Sequence, residues 1–162
     1  MKPEYQHYLS IAQSNKKENK KLISRLKKLK SKELDGIIND LHNKAFEIID
    51  CLKCANCCSS ISPSISDNDI QKIAKALRIK PSAVVNKYMH LDDEHDYVMN
   101  CSPCPFLMKD NYCEIYNSRP LACKGYPHTN RNKMNQILNL TLKNTTICPA
   151  VSYIFEELKN MY

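Results

Sequence analysis

Apolar side chains recur at helical spacing in four stretches of the chain. In residues 33–50, 69–78 and 81–88, and again after position 149, they return every three or four positions, as in a helix with one buried face. Ser66 and Asp69 have the spacing of a capping box. Pro81 and Pro149 stand where the first turn of a helix accepts proline. The pattern therefore predicts helices over these four stretches.

The remaining segments predict little regular structure. Two short apolar runs, residues 105–108 and 112–116, flank the turn-forming residues 109–111 and predict a small hairpin. Residues 137–142 fit a helix or a strand equally well, and residues 51–66 have no period and predict a loop. We expect an α+β fold dominated by helices: a small, irregular domain with one short β-hairpin and a preceding basic helix.

Composition excludes several classes of protein. The 162 residues include two glycines, Gly36 and Gly125, which stand apart, so no glycine-rich nucleotide-binding loop is present. No run approaches the roughly 18 apolar residues of a membrane span, which predicts a soluble protein that contacts no membrane. No serine-hydrolase or zinc-protease motif occurs either. We therefore predict no catalytic residue.

Positive charge is concentrated near the N-terminus. Residues 16–32 hold nine basic residues and one acid, a net charge of +8 in a chain whose total is +7. Leu22, Ile23, Leu26 and Leu29 form an apolar stripe through this stretch, as in a solvated helix laid on the core. Its lysines could also contact nucleic acid, although no aromatic residue interleaves them to stack on bases. We predict a basic helical extension, residues 1–32, and a second domain, residues 33–162.

The nine cysteines are the main chemical signal. An odd number excludes a fully paired disulfide framework, and the first residues lack the apolar run of a secretory leader. We therefore expect reduced thiols and a cytoplasmic protein.

Four cysteines lie within eight positions and spell CxxCxxCC: Cys51, Cys54, Cys57 and Cys58. A CxxC turn lets two thiolates converge on one ion. Three cysteines at this spacing followed by a distant Cys-Pro resemble the ligand run of bacterial ferredoxins. Because neighbouring side chains in an extended loop point apart, Cys58 indicates either a second site or a cluster whose ligands interleave. The pattern predicts an iron-sulfur cluster or zinc, with the iron-sulfur cluster slightly favoured, in a structural or electron-transfer role.

Six short motifs together resemble the YkgJ-like cysteine-cluster family, also described as a zinc- or iron-chelating domain. They are CxxCxxCC, CPFL at 104–107, CEIY at 113–116, RPLAC at 119–123, Tyr126-Pro127 and Cys148-Pro149. The resemblance implies a cytoplasmic, mostly bacterial, metal-binding domain. The ligands that it implies are Cys51, Cys54, Cys57, Cys58, Cys104, Cys113, Cys123 and Cys148.

Other readings of this chemistry stay open. Cys101 and Cys104 have the CxPC spacing of a thiol-redox enzyme, although that motif should open a helix after a strand. An iron-sulfur-dependent enzyme is a related possibility. Four basic residues near the implied ligands, Lys53, Lys109, Arg119 and Lys124, could offset the negative charge of bound thiolates. His128 could be an additional ligand, although a surface histidine is the simpler reading. No protein partner is predicted.

Overall fold

The computed structural model describes all 162 residues and confirms an α+β fold dominated by helices. The helices are α1 (Pro3–Ser14), α2 (Lys16–Leu26), α3 (Ser31–Ile48), α4 (Cys51–Cys54), α5 (Asn56–Ser60), α6 (Asp67–Leu77), α7 (Pro81–Tyr88), α8 (Leu121–Gly125), α9 (Leu138–Asn144) and α10 (Pro149–Met161). The two strands, β1 (Met89–Leu91) and β2 (Tyr97–Met99), pair antiparallel. None of the helices has both the length and the apolar character needed to cross a membrane.

The chain forms two compact units. Unit 1 contains Met1–Cys54 and Pro127–Tyr162, and unit 2 contains Ala55–Tyr126. In unit 1 the N-terminal helices α1 and α2 pack together with the last helix, α10. The structure thus groups the basic segment with residues beyond position 127, whereas the boundary at residue 32 stays a prediction from the sequence.

Unit 1 is a bundle of helices around α10. This helix packs against α1, α2, α3 and α9, and its buried residues include Ile154, Phe155 and Leu158. Removing such apolar surface from water is the main favourable contribution to folding. The stripe predicted on the basic helix lies in this core, since Leu22 and Leu26 are fully buried. The amphipathic reading of that helix is therefore correct.

The longer predicted helices of unit 1 are confirmed. The helix expected over residues 33–50 is α3, and the one expected after position 149 is α10. Of the ambiguous residues 137–142, the first lies in a turn and the other five lie in α9. Helix α1 lies within the predicted helical extension, although no apolar period located it there. It buries only Tyr5 and Ala12 along twelve residues, so its periodic signal in the sequence is weak.

Unit 2 is built on α6, α7 and the hairpin. Its buried core contains apolar residues from these elements, from one position before α6 and from two later positions: Ile65, Ile70, Ile73, Ala74, Val84, Met89, Met99, Phe106 and Ile115. The predicted capping box is present, because the backbone N–H of Asp69 donates to Ser66 Oγ at 3.2 Å and the Asp69 carboxylate accepts from the Ser66 N–H. Both predicted helices of this unit are confirmed.

The regular strands lie outside the residues predicted for the hairpin, and those residues form a smaller antiparallel turn. The regular strands are β1 and β2, joined by the acidic loop that interrupts the apolar pattern. In that loop Asp92 Oδ1 accepts hydrogen bonds from the N–H groups of Glu94 and Asp96, at 3.0 and 2.9 Å. Such side-chain bonds let aspartate close a turn. At the predicted place there is one isolated bridge, between Leu107 and Cys113, and a 3-10 helix over Tyr116–Ser118.

Candidate metal centre

Five of the cysteines lie on three very short helices. Helix α4 carries Cys51 and Cys54, α5 carries Cys57 and Cys58, and α8 carries Cys123. The loop expected over residues 51–66 is therefore partly helical. A helix of four or five residues is too short to show a repeating apolar pattern in the sequence. None of the three helices has a buried residue. Isolated helices of this length are unstable in water, so they need stabilisation from elsewhere.

Four thiols of unit 2 lie within electrostatic reach of one another: Cys58, Cys104, Cys113 and Cys123. The backbone N–H of Cys104 donates to the carbonyl oxygen of Cys58 at 2.8 Å, which joins two of their segments. Burial raises the pKa of Cys123 to about 12, and the thiolates of the other three raise it further. Burial first, and neighbouring thiolates second, also raise the pKa of Cys104 and Cys113.

Cys58 is the member of this group that most readily ionises. Its pKa is lowered to about 7, mainly by a hydrogen bond from Cys57. Burial acts in the opposite direction and raises the pKa, and the positive charge of Arg119 makes a smaller contribution that lowers it. The sulfur atoms of Cys57 and Cys58 are 3.9 Å apart. Because residues 56–60 are helical and not extended, the expectation that these neighbouring side chains point apart is wrong.

Arg119 supplies a positive charge to the four thiols. Its guanidinium lies 3.7 Å from the centre of the Tyr116 ring, a distance typical of cation–π contact. The same charge lowers the pKa of Cys58, Cys113 and Cys123. Its Nε atom is buried and has no hydrogen-bond partner in the structure. An unused buried donor and a fixed cation beside thiols are suited to an anionic metal–thiolate centre.

Asp69 holds helix α8 in place, a function that the sequence did not indicate. One carboxylate oxygen accepts from Ser66 Oγ at 2.6 Å, and the other accepts from the backbone N–H of Leu121, at the start of α8, at 3.2 Å. The carboxylate is 3% exposed, so these bonds are shielded from water. The capping-box spacing identified Asp69 as a helix cap, but no sequence signal links it to residue 121.

Unit 1 has a second set of thiols: Cys51, Cys54 and Cys148. Cys148 is buried and immediately precedes Pro149, the first residue of α10. Burial raises the pKa of Cys148 to about 12, and the charges of Cys51 and Cys54 raise it further. The ferredoxin-like spacing predicted a Cys-Pro together with Cys51, Cys54 and Cys57, but Cys57 is not among the residues whose charge acts on Cys148.

The two remaining candidates are not assigned to these sets, although the charge of Cys101 contributes to the raised pKa of Cys104. Cys101 is exposed, and no helix begins at residues 101–104, so the structure lacks the context of a redox CxxC. The pKa of His128 is lowered by burial and by the charge of Arg131, and no thiol contributes to that shift. No disulfide joins any of the nine cysteines.

The donor set fits zinc or iron. Thiolate sulfur is the ligand that zinc and iron-sulfur clusters prefer. No three cysteine, histidine, aspartate or glutamate side chains stand in the geometry that holds an ion. In small metal-binding domains, metal binding is commonly coupled to folding.

The fold and the thiols define a helix-rich, cysteine-rich protein of the metal-chelating class. Comparison with known families matches residues 50–149 to the family described as "CxxCxxCC: Putative zinc- or iron-chelating domain". The match covers more than half of the 162 residues, and the chain belongs to this family. Comparison with curated proteins and with solved structures gave no match.

Proposed function

We propose that the protein binds an iron-sulfur cluster or zinc through cysteine thiolates, in a structural or electron-transfer role. The proposal depends on one observation: Cys58, Cys104, Cys113 and Cys123 lie within electrostatic reach of one another and of Arg119. Four thiolates complete a tetrahedral zinc site or the ligand set of a cluster. The family of the chain supports zinc or iron as the metal.

The eight ligands divide into groups in this proposal. The four thiols of unit 2 form one centre, and Cys51, Cys54 and Cys148 of unit 1 contribute to another. Mutual electrostatic effects within each group support this division. Cys57 bonds to Cys58 and acts as a ligand or as a hydrogen-bond donor to one. Arg119 lowers the charge of the first centre, which four thiolates around zinc would leave at −2.

The CxxCxxC spacing with a later Cys-Pro favours the iron-sulfur cluster slightly over zinc. A zinc ion with four thiolates has no open position, so it would stabilise the fold and perform no catalysis. A cluster with the same ligands would add one-electron chemistry, with its potential tuned by hydrogen bonds to sulfur. The cytoplasm, where thiols stay reduced, is the compartment that suits either metal.

Metal analysis of protein purified without oxygen tests the proposal. We expect iron with acid-labile sulfide and visible charge-transfer absorption, and Cys58→Ser should remove a large part of both. Cys101→Ser is the matched control, because Cys101 is exposed and outside the proposed sets. Colourless protein with stoichiometric zinc would reject the cluster but keep thiolate metal binding. Protein that holds neither metal, or equal losses in both variants, would refute the ligand assignment.

The thiol-redox alternative makes a different prediction. It requires Cys101, so Cys101→Ser would abolish a thiol-dependent activity while the metal stays bound. The irregular conformation of residues 101–104 gives this alternative no support, because a redox CxxC normally opens a helix.

A further inference from the structure

Helix α2 presents one face made of lysine side chains. Lys16 and Lys20 form one row four residues apart, and Lys17 and Lys21 form a second row beside it. Side chains four residues apart on a helix are neighbours, with about 5–6 Å between their Cβ atoms. Two more lysines, at 27 and 28, extend the face into the turn that follows. We define the basic face as these six exposed lysines.

The lysines of the basic face are not neutralised within the protein. The structure contains two ion pairs, Lys53–Asp50 and Lys159–Glu156, and neither involves residues 16–28. Glu18, the one acid of this helix, lies outside both lysine rows. Like charges so close together repel each other. A polyanion that paired with them would relieve the repulsion.

The opposite side of α2 is already occupied. Leu22, Ile23 and Leu26 are buried, and the helix packs against α9 and α10. A helix that lies in a membrane interface must insert its apolar side chains among the lipids. Those of α2 are part of the core of unit 1, so only the lysines are available to a partner.

We infer that the basic face binds the phosphate backbone of duplex nucleic acid without reading its sequence. A duplex carries one charge per about 1.7 Å of its axis, which matches a dense array of lysines better than the scattered carboxylates of a protein surface. The face has no aromatic residue on which unpaired bases could stack. It has no arginine or amide to read base edges, since Arg25 donates to the Tyr162 carbonyl and Asn19 is buried. The inference is independent of the metal centre.

Fluorescence anisotropy with a labelled duplex of about 20 base pairs tests the inference, using the full-length protein with its metal. Neutralising five phosphates would weaken binding about 500-fold between about 50 and about 200 mM salt. We expect the variant Lys16→Gln, Lys17→Gln, Lys20→Gln and Lys21→Gln to lose most of this salt dependence. At the lower salt concentration its affinity should fall about tenfold or more.

The matched control removes the same charge elsewhere. Lys44→Gln, Lys72→Gln, Lys75→Gln and Lys80→Gln replace four exposed lysines and lower the net charge equally. This variant should keep the salt dependence and lose little affinity. Unchanged circular dichroism would show that both variants are folded. Equal losses in the two variants would overturn the inference, as would tighter binding to single strands or to vesicles of anionic lipid than to the duplex.

Discussion

Unit 1 and unit 2 are stabilised in different ways. In unit 1 the long helices α3 and α10 bury apolar side chains along their whole length. In unit 2 the core lies under α6, α7 and the hairpin, while the segments that carry its cysteines bury little. Helices α5 and α8 bury no residue. Burial of apolar surface can thus account for the order of unit 1, but it accounts for only part of unit 2.

This difference suggests that hydrophobic burial stabilises unit 1, whereas metal binding stabilises the thiol-bearing helices of unit 2. A fully buried leucine or phenylalanine contributes about 1.5–3 kcal/mol, and unit 1 has many such residues. The thiol-bearing helices α5 and α8 of unit 2 have none, and α8 is joined to α6 by the hydrogen bond from Leu121 to Asp69. Metal binding would supply the free energy that orders these helices, because binding free energy becomes folding free energy when the site forms only in the folded state.

Removal of the metal should produce the largest effect. After treatment of the reduced protein with a chelator, we expect α5 and α8 to lose their protection against hydrogen exchange, because neither helix has a buried residue. Helix α10 should keep its protection, since its apolar residues are buried. Helix α6 is the control within unit 2, because Ile70 and Ile73 anchor it. Hydrogen exchange followed by mass spectrometry measures all four helices, and equal loss in α8 and α10 would contradict the comparison.

A smaller effect is expected from Arg119→Met. This substitution removes the positive charge that lowers the pKa of Cys58, Cys113 and Cys123, and it removes the unused buried N–H. Loss of such an outer contact typically costs about 10- to 100-fold in metal affinity. Competition with a chromophoric chelator measures the change.

The control for Arg119 is Arg78→Met, at an exposed arginine that follows α6 in the same unit. It should leave metal affinity unchanged. If the two variants bind metal equally well, Arg119 has no function at the centre beyond its contact with Tyr116.

The smallest effect concerns His42 in unit 1. Burial lowers the pKa of His42 below its usual value of 6.5, and its Nδ1 lies 2.7 Å from Thr129 Oγ1. The unfolded chain therefore takes up this proton at a higher pH than the folded one. Neutral His42 therefore makes its full contribution to the free energy of unfolding above pH 6.5. This contribution is lost as the pH falls through the lower pKa that His42 has in the folded state.

Urea denaturation on both sides of that pH tests this prediction. His42→Gln should flatten the fall in the free energy of unfolding on acidification, while the same change at the exposed His90 should not. An unchanged pH dependence in His42→Gln would show that another group is responsible.

The sequence predicts the parts of the fold in which local signals are long or chemically specific. Helices α6, α7 and α10 were predicted because a capping box or an N-terminal proline precedes an apolar period. The regular strands of the hairpin were not predicted because their turn depends on hydrogen bonds to Asp92, while the apolar runs at residues 105–116 form one bridge. An apolar period could not predict the short helices α4, α5 and α8, because a single helical turn contains no repeat.

The candidate site, like the fold, could be predicted from the sequence only where the signal is local. Motif spacing and resemblance named eight cysteines, but spacing alone could not divide them, because the partners are distant in sequence. Cys58 lies with Cys113 and Cys123, whereas Cys148 lies with Cys51 and Cys54. Arg119 was expected to offset charge, and its effect on the thiol pKa values agrees with that expectation. The hydrogen bond from Leu121 to Asp69 depends on tertiary structure and has no local signal.

The order of the two units along the chain affects how the protein is made. Unit 2 is inserted into unit 1, whose second segment begins at Pro127. Because synthesis proceeds from the N-terminus, all the cysteines of unit 2 leave the ribosome before α10 does. The helices α1, α2 and α3 must wait for α10 to cover their apolar faces. On the proposed ligand assignment, unit 2 can bind metal while unit 1 is still incomplete, so metal binding and the closure of the bundle are separate steps.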